Sequence, residues 1–185
     1  MTGDLTQELQ FDIEPLDPTK HDRAAFSCGS TNIDNFLKQT AKKQQKDGFT
    51  RVWVAVPTGG TKILGYYAMN THAIEIEDLP ESYKKRLRHD HVPAAYISML
   101  GVDQTCQGRG LGTTLLMNAF KKILVIAKTV GIHAVVLDVL DDKDDKAISK
   151  RIKFYKSFGF TPFSDHPLRM YITVKTIEQA FTASR

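Results

Sequence analysis

The longest regular pattern in the chain spans residues 111–130. There Leu111, Leu115, Ala119, Ile123 and Ala127 recur every four residues, with Leu116, Phe120 and Leu124 beside them. Apolar positions at that spacing share one broad helical face, which predicts a helix laid on a sheet and closed by Gly131. A second such face is Ile33, Phe36, Leu37, Thr40 and Ala41. Thr31 and Asp34 stand close to a capping box at its start, and Gly48 marks its end. Extended apolar runs predict strands over 9–14, 51–56, 62–70, 93–102, 133–140, 159–162 and 168–174, the second and third forming a hairpin about the 57–61 turn. Residues 79–87 read as a short helix with Pro80 in its first turn and 147–157 as another, with an acidic loop at 141–145 between the last strands and helices. A right-handed crossover through the long helix would set the 93–102 and 133–140 strands parallel. The fold class expected is α/β.

Length bounds the organisation: 185 residues suit one domain spanning 1–185. No apolar run approaches the roughly 20 residues of a membrane span. The first eleven residues are polar and acidic, unlike a signal peptide, so the cytoplasm is the expected location. Cys28 and Cys106 are far apart and lack metal-ligand spacing, which favours reduced thiols. His89 and His91 have no further ligand near them in sequence, and no metal is expected.

The formal net charge of +4 permits a polyanionic partner without requiring one. Lys38, Lys42, Lys43 and Lys46 lie off the apolar face of their helix, and Lys84, Lys85, Arg86 and Arg88 form the densest basic cluster. Each group reads either as solvated surface or as a contact surface for nucleic-acid phosphates.

Chemistry concentrates at Gln107-Gly108-Arg109-Gly110-Leu111-Gly112, between an extended run and the long helix. Glycines let the backbone turn tightly near an anion, and the amides of a helix's first turn face it with the positive end of the dipole. The P-loop is excluded because Gly112 is followed by Thr113-Thr114 with no Lys, and the G-x-G-x-G spacing is not the dinucleotide fingerprint. The stretch resembles the coenzyme A signature of the GNAT acetyltransferases, Q/R-x-x-G-x-G/A. Phe154-Tyr155-Lys156-Ser157-Phe158-Gly159-Phe160 resembles the same family's F-Y-x-x-x-G-F segment.

The resemblance covers about 49–174. It implies the GNAT fold: a mixed, mostly antiparallel sheet whose central parallel strands splay, flanked by helices. It further implies acetyl-CoA as co-substrate. Its pantetheine would lie along the backbone of Leu100, Gly101 and Val102, its diphosphate on Gln107 through Thr113, and Tyr155 would be the acid at its sulfur. A finer set runs through Phe26-x-Cys28-Gly29, Asp34-x-Phe36-Leu37, Ile63-Leu64-Gly65-Tyr66-Tyr67-Ala68, Leu79-Pro80 and Pro93. It is similar to the acetyltransferase toxins of type II toxin–antitoxin systems, which acetylate the α-amine of aminoacyl-tRNA and so block translation. By that resemblance the partners are aminoacyl-tRNA, a ribbon-helix-helix antitoxin and, as is common in the group, a second copy of the chain. Two departures bear on the acceptor: Met99 stands where many of these toxins carry Arg, and the 147–153 segment is longer and more charged.

Spacing reveals no general base. Neutralising a lysine side chain at pH 7 costs about 4–5 kcal/mol, against about 1 for an α-amine, so an aminoacyl ester can do without a strong one. Ser98, His133, Asp138 and Asp141 are the candidates for relaying a proton through water. Two other functions compete: acetylation of a small amine or a protein amine, and a non-catalytic module that binds coenzyme A.

Overall fold

The computed structural model of the protein describes residues 10–85 and 90–183. In order, its elements are β1 (Phe11–Pro15), α1 (Thr31–Asn35), a π-helical turn (Phe36–Thr40), α2 (Ala41–Lys46), β2 (Arg51–Pro57), β3 (Gly65–Glu75) and a 3-10 turn (Ile76–Asp78). There follow α3 (Glu81–Lys84), β4 (His91–Val102), a 3-10 turn (Gln104–Cys106), α4 (Leu111–Ile126), β5 (Ala134–Asp138), α5 (Asp145–Ser157), β6 (Thr161–Pro162), β7 (Arg169–Thr173) and α6 (Val174–Ala183). The described strands form one mixed sheet in the order β1-β2-β3-β4-β5-β7-β6. β4 and β5 are parallel from Ala94↔Ala134 to Ile97↔Leu137, while β1–β2, β5–β7 and β6–β7 are antiparallel. No described helix is long and apolar enough to cross a membrane.

Two compact units can be distinguished. One comprises the residues up to Tyr67 together with Leu100–Leu116. Its core centres on Phe26, Leu37, Ile63, Tyr66 and Leu115, all at most 1% exposed. Phe26 meets Tyr66 edge-on at 5.4 Å, and the Tyr66 hydroxyl donates to the Ile33 carbonyl at 2.7 Å, fastening α1 to β3. The capping box expected at Thr31 is not what forms. Ser30 is the N-cap without a side-chain bond, and Asp34 reaches back instead, accepting the Cys28 amide at 2.9 Å. β1 runs one residue past its expected stop, through Pro15, because an edge strand can spare an amide.

The other unit comprises Ala68–Met99 and the chain from Met117 onward. Its sheet face is covered by a cluster of Ile74, Val92, Ala94, Val136, Phe163 and Tyr171, with Tyr96 packed against it. α5 starts two residues before its expected limit, since Asp144 caps it by accepting the Lys146 and Ala147 amides. α4 ends at Ile126, so Gly131 lies beyond it and closes nothing. α6 was not expected at all. Its signal was present: the Thr173 hydroxyl accepts the Thr176 amide at 3.1 Å, and Val174 and Ile177 are buried at helical spacing.

Candidate active site

The glycine loop is held from behind by a segment far from it in sequence. Asp103, 4% exposed, accepts the Thr105 amide and hydroxyl on one carboxylate oxygen and the Ser27 amide on the other. Burial opposes its charge, but these hydrogen bonds outweigh it and hold the carboxyl below the usual range. The Gln104 amide donates to the Ser27 carbonyl at 2.8 Å, and Gln107 Nε2 donates to the carbonyls of Cys28 and Val102 at 2.9 and 3.0 Å. Gln107 thus serves as a brace through its side chain. Burial pushes the neighbouring Cys28 thiol up to about 12, so it is a poor nucleophile.

On the outer side the loop is open. Gly108 and Gly110 have φ of +76° and +80°, which L side chains rarely adopt, and nothing lies within 4 Å of where a Cβ would stand. Gly112 has no positive φ, and its nearest neighbour would be an ordinary 3.7 Å contact with Val102. Two of the three glycines are therefore demanded by the turn. Arg109 and Thr113 are exposed, Leu111 is buried, and α4 begins here with 16 residues. Open glycine backbone at the start of a long helix fits a diphosphate. Gly101 has a different reason: a Cβ there would stand 2.7 Å from Ile33 Cγ2, so packing requires the glycine.

The parallel register ends at Ile97↔Leu137, whereas β4 continues to Val102. Leu100 and Val102 therefore lie on a stretch of β4 past its pairing with β5, where backbone groups can meet a ligand as an added strand would. The Tyr155 segment has a local explanation too. The Gly159 amide donates to the Lys156 carbonyl at 2.9 Å and the Phe160 amide to the Tyr155 carbonyl at 3.2 Å, with Gly159 at φ +94°. This is a Schellman ending of α5, and its usual apolar contact is the Tyr155–Phe160 ring pair at 5.8 Å. Tyr-x-x-x-Gly-Phe is thus the code for a helix stop that orients one phenol. Burial pushes that phenol up to about 12, although Arg151 works the other way.

The unit that carries Tyr155 also holds a polar group of which the sequence suggests only Asp138. Tyr96 donates its hydroxyl to Asp138 Oδ2 at 2.6 Å, and Arg169 grips the same carboxylate through Nε at 2.8 Å and a terminal nitrogen at 3.0 Å. Burial works against the Asp138 charge, but the bonds from Arg169 and Tyr96 keep the carboxyl low. His72 lies against the Tyr96 ring at 5.4 Å, and burial, reinforced by Arg169, lowers its pKa. Two residues before it, Asn70 Oδ1 is buried with no hydrogen-bond partner, while its amide nitrogen makes only a long 3.4 Å bond to the Thr71 carbonyl. An unpaired buried acceptor costs about 1–3 kcal/mol. Of the four relay candidates, Asp138 is engaged by three donors. Ser98 Oγ lies 3.4 Å from the Ala68 carbonyl, burial lowers the His133 pKa, and Asp141 Oδ1 accepts the Lys143 amide.

The basic residues are dispersed in their behaviour. Lys84 pairs with Glu81 at 2.9 Å and Lys85 is exposed, while Arg86 and Arg88 lie outside the described residues. The Lys38 carbonyl accepts from Arg23. Lys42 borders an open concavity with Lys46, Arg51 and Trp53. Among the described residues no group of three or more His, Cys, Asp or Glu is placed to hold a metal ion.

Residues 23–160 match the model of the Acetyltransferase (GNAT) family. The chain belongs to the GNAT family. The GNAT relatives similar to it include the "Probable toxin TacT" of Sinorhizobium fredii (strain NBRC 101917 / NGR234), 46% identical over 89% of this chain and 92% of that protein. The structure of AtaT complexed with acetyl-methionyl-tRNAfMet superposes with a TM-score of 0.82 at 27% identity, covering 93% of this chain and 99% of that one. A tyrosine-to-phenylalanine mutant of AtaT bound to the C-terminus of the antitoxin AtaR and acetyl-CoA gives 0.77 at 25% identity, covering 94% and 99%.

Proposed function

We propose that this GNAT enzyme transfers the acetyl group of acetyl-CoA to the α-amine of an amino acid esterified to tRNA, and thereby acts as the toxin of a toxin–antitoxin pair. The observation that carries the reading is the likeness, across 93% of the chain, to a relative solved on acetylated aminoacyl-tRNA. The 46% identity to a probable toxin supports it, and so does the relative bound to its antitoxin. A ribbon-helix-helix protein is the antitoxin expected here, and a cytoplasmic site of action follows from the substrate.

When bound, acetyl-CoA supplies an acetyl thioester open to attack by an amine. The backbone amides from Gly108 through Thr113 hold its diphosphate, with Arg109 exposed beside them and Gln107 bracing the loop. The backbone of Leu100, Gly101 and Val102 holds its pantetheine, and the Leu100 amide polarises the acetyl carbonyl. Tyr155 sits at the sulfur. With its phenol near 12 and a thiol near 8.5, complete proton transfer is uphill by roughly 4–5 kcal/mol, so Tyr155 acts chiefly as a strong hydrogen-bond donor. Lys38, Lys42, Lys84 and Lys85, with Arg86 and Arg88, supply contacts to tRNA phosphates.

The test is direct. Purified protein incubated with acetyl-CoA and charged tRNA should yield N-acetylated aminoacyl-tRNA and arrest a cell-free translation reaction, and Tyr155→Phe should do neither. If the wild-type protein turns over acetyl-CoA with other amines but leaves every charged tRNA unmodified, the acceptor is a small or protein amine.

A further inference from the structure

We propose that Asn70 and His72 form the subsite that receives the acceptor's amine, Asn70 accepting a hydrogen bond from the nitrogen and His72 taking its proton. The proposal rests on the aminoacyl-tRNA reading above and adds the residues that would recognise the amine, none of which lies in either family motif.

Burial along β3 alternates from Asn70 onward: Asn70, His72 and Ile74 are partly or fully buried, and Thr71, Ala73 and Glu75 are exposed. Side chains two apart on a strand share a face, so Asn70 and His72 belong to the face that Ile74 shares with Val92, Ala94, Val136 and Tyr171. On that face the Asn70 carbonyl oxygen is buried and unpaired. Buried polar atoms in native structures are almost always satisfied, which points to a donor from outside the chain.

His72 defines what kind of donor. The groups around it are Tyr96 on β4, Asp138 on β5, Arg169 on β7 and Glu75 on its own strand. Burial and the Arg169 charge disfavour the imidazolium and outweigh the pull of Asp138 and Glu75. The Asp138 charge is itself engaged by Tyr96 and Arg169. At neutral pH the ring is thus uncharged and carries a lone pair. A buried amide oxygen and a neutral imidazole are both acceptors, so the matching ligand is a cationic or neutral amine. A phosphate or carboxylate could take the imidazole N–H but would face the Asn70 oxygen lone pair to lone pair.

The proton account closes. The acceptor arrives as an ammonium, and one proton passes to the His72 imidazole, leaving a neutral nitrogen whose lone pair attacks. The N–C bond forms as the C–S bond breaks. The nitrogen sheds its second proton, the departing sulfur ends with one, and His72 returns its own to water.

Binding is measured first, without acetyl-CoA, using an acceptor-stem RNA carrying an amide-linked amino acid and the same RNA uncharged. The wild-type protein should prefer the charged RNA, and Asn70→Ala should lose that preference by about fivefold or more. Asn70→Leu, which keeps the volume, serves if the alanine variant does not fold. In turnover, His72→Ala should lower acceptor kcat/KM by about fivefold to tenfold and remove the acid limb lying below pH ~6.5, with added imidazole restoring part of the rate. The dissociation constant for acetyl-CoA should not move. Wild-type acetylation of charged tRNA with unchanged binding and pH profiles in the variants overturns the subsite and leaves the function standing. Absence of wild-type acetylation overturns the function and the subsite with it.

Discussion

The glycine loop and the Asn70–His72 face are built on opposite principles. In the loop, chemistry comes from backbone: two left-handed glycines and the amides of a helix's first turn, braced by Asp103 and Gln107. On the face, chemistry comes from side chains that four strands bring together, with the backbone committed to the sheet. A ligand that every family member shares can be held by main chain, which sequence drift leaves alone. An acceptor that varies between members is better met by side chains, which can change one at a time.

That contrast can be broken most sharply at Tyr155. Tyr155→Phe should lower kcat by about 10²–10⁴ while leaving binding of both substrates intact, as expected of a group acting only on the departing sulfur. Next in size, Arg169→Ala leaves Asp138 held by Tyr96 alone and should reduce acceptor kcat/KM by about tenfold, with the acetyl-CoA dissociation constant unmoved. If both constants move together, the two regions are not separable. Gly110→Ala should do the reverse. A forced positive φ costs about 1–2 kcal/mol, so acetyl-CoA affinity should fall by roughly tenfold with acceptor preference unaltered, as calorimetry would show. Gly101→Ala tests packing: overpacking against Ile33 should cost about 1–3 kcal/mol and lower Tm by roughly 3–10 °C in a melting scan. The smallest effect is expected from neutralising Lys84 and Lys85 together, which should flatten the salt dependence of tRNA binding by about two units of logarithmic slope at most.

The same contrast explains what could be read from the chain beforehand. The glycine loop and the Tyr155 segment are each compressed into seven residues or fewer, where a turn's φ or a Schellman stop dictates glycine. Their spacing therefore carries the information. The Asn70–His72 face is assembled across gaps of 31 residues from Asp138 to Arg169 and 42 from Tyr96 to Asp138. Nothing local marks Asn70 or His72 as other than the alternating polar positions of a half-buried strand. The strands were legible to within a few residues because burial imposes its period on them. Errors fell at ends, where capping decides: Ser30 in place of Thr31, Asp144 drawing α5 forward, and the Thr173 cap that launches α6.

The clasp on the glycine loop has a consequence for synthesis. Ser27 and Cys28 leave the ribosome long before the residues they hold, since Asp103 lies 76 positions later and Gln107 lies 79 positions after Cys28. A nascent chain therefore has no finished glycine loop until well past its midpoint, and the clasp closes only after both of its distant halves have been made.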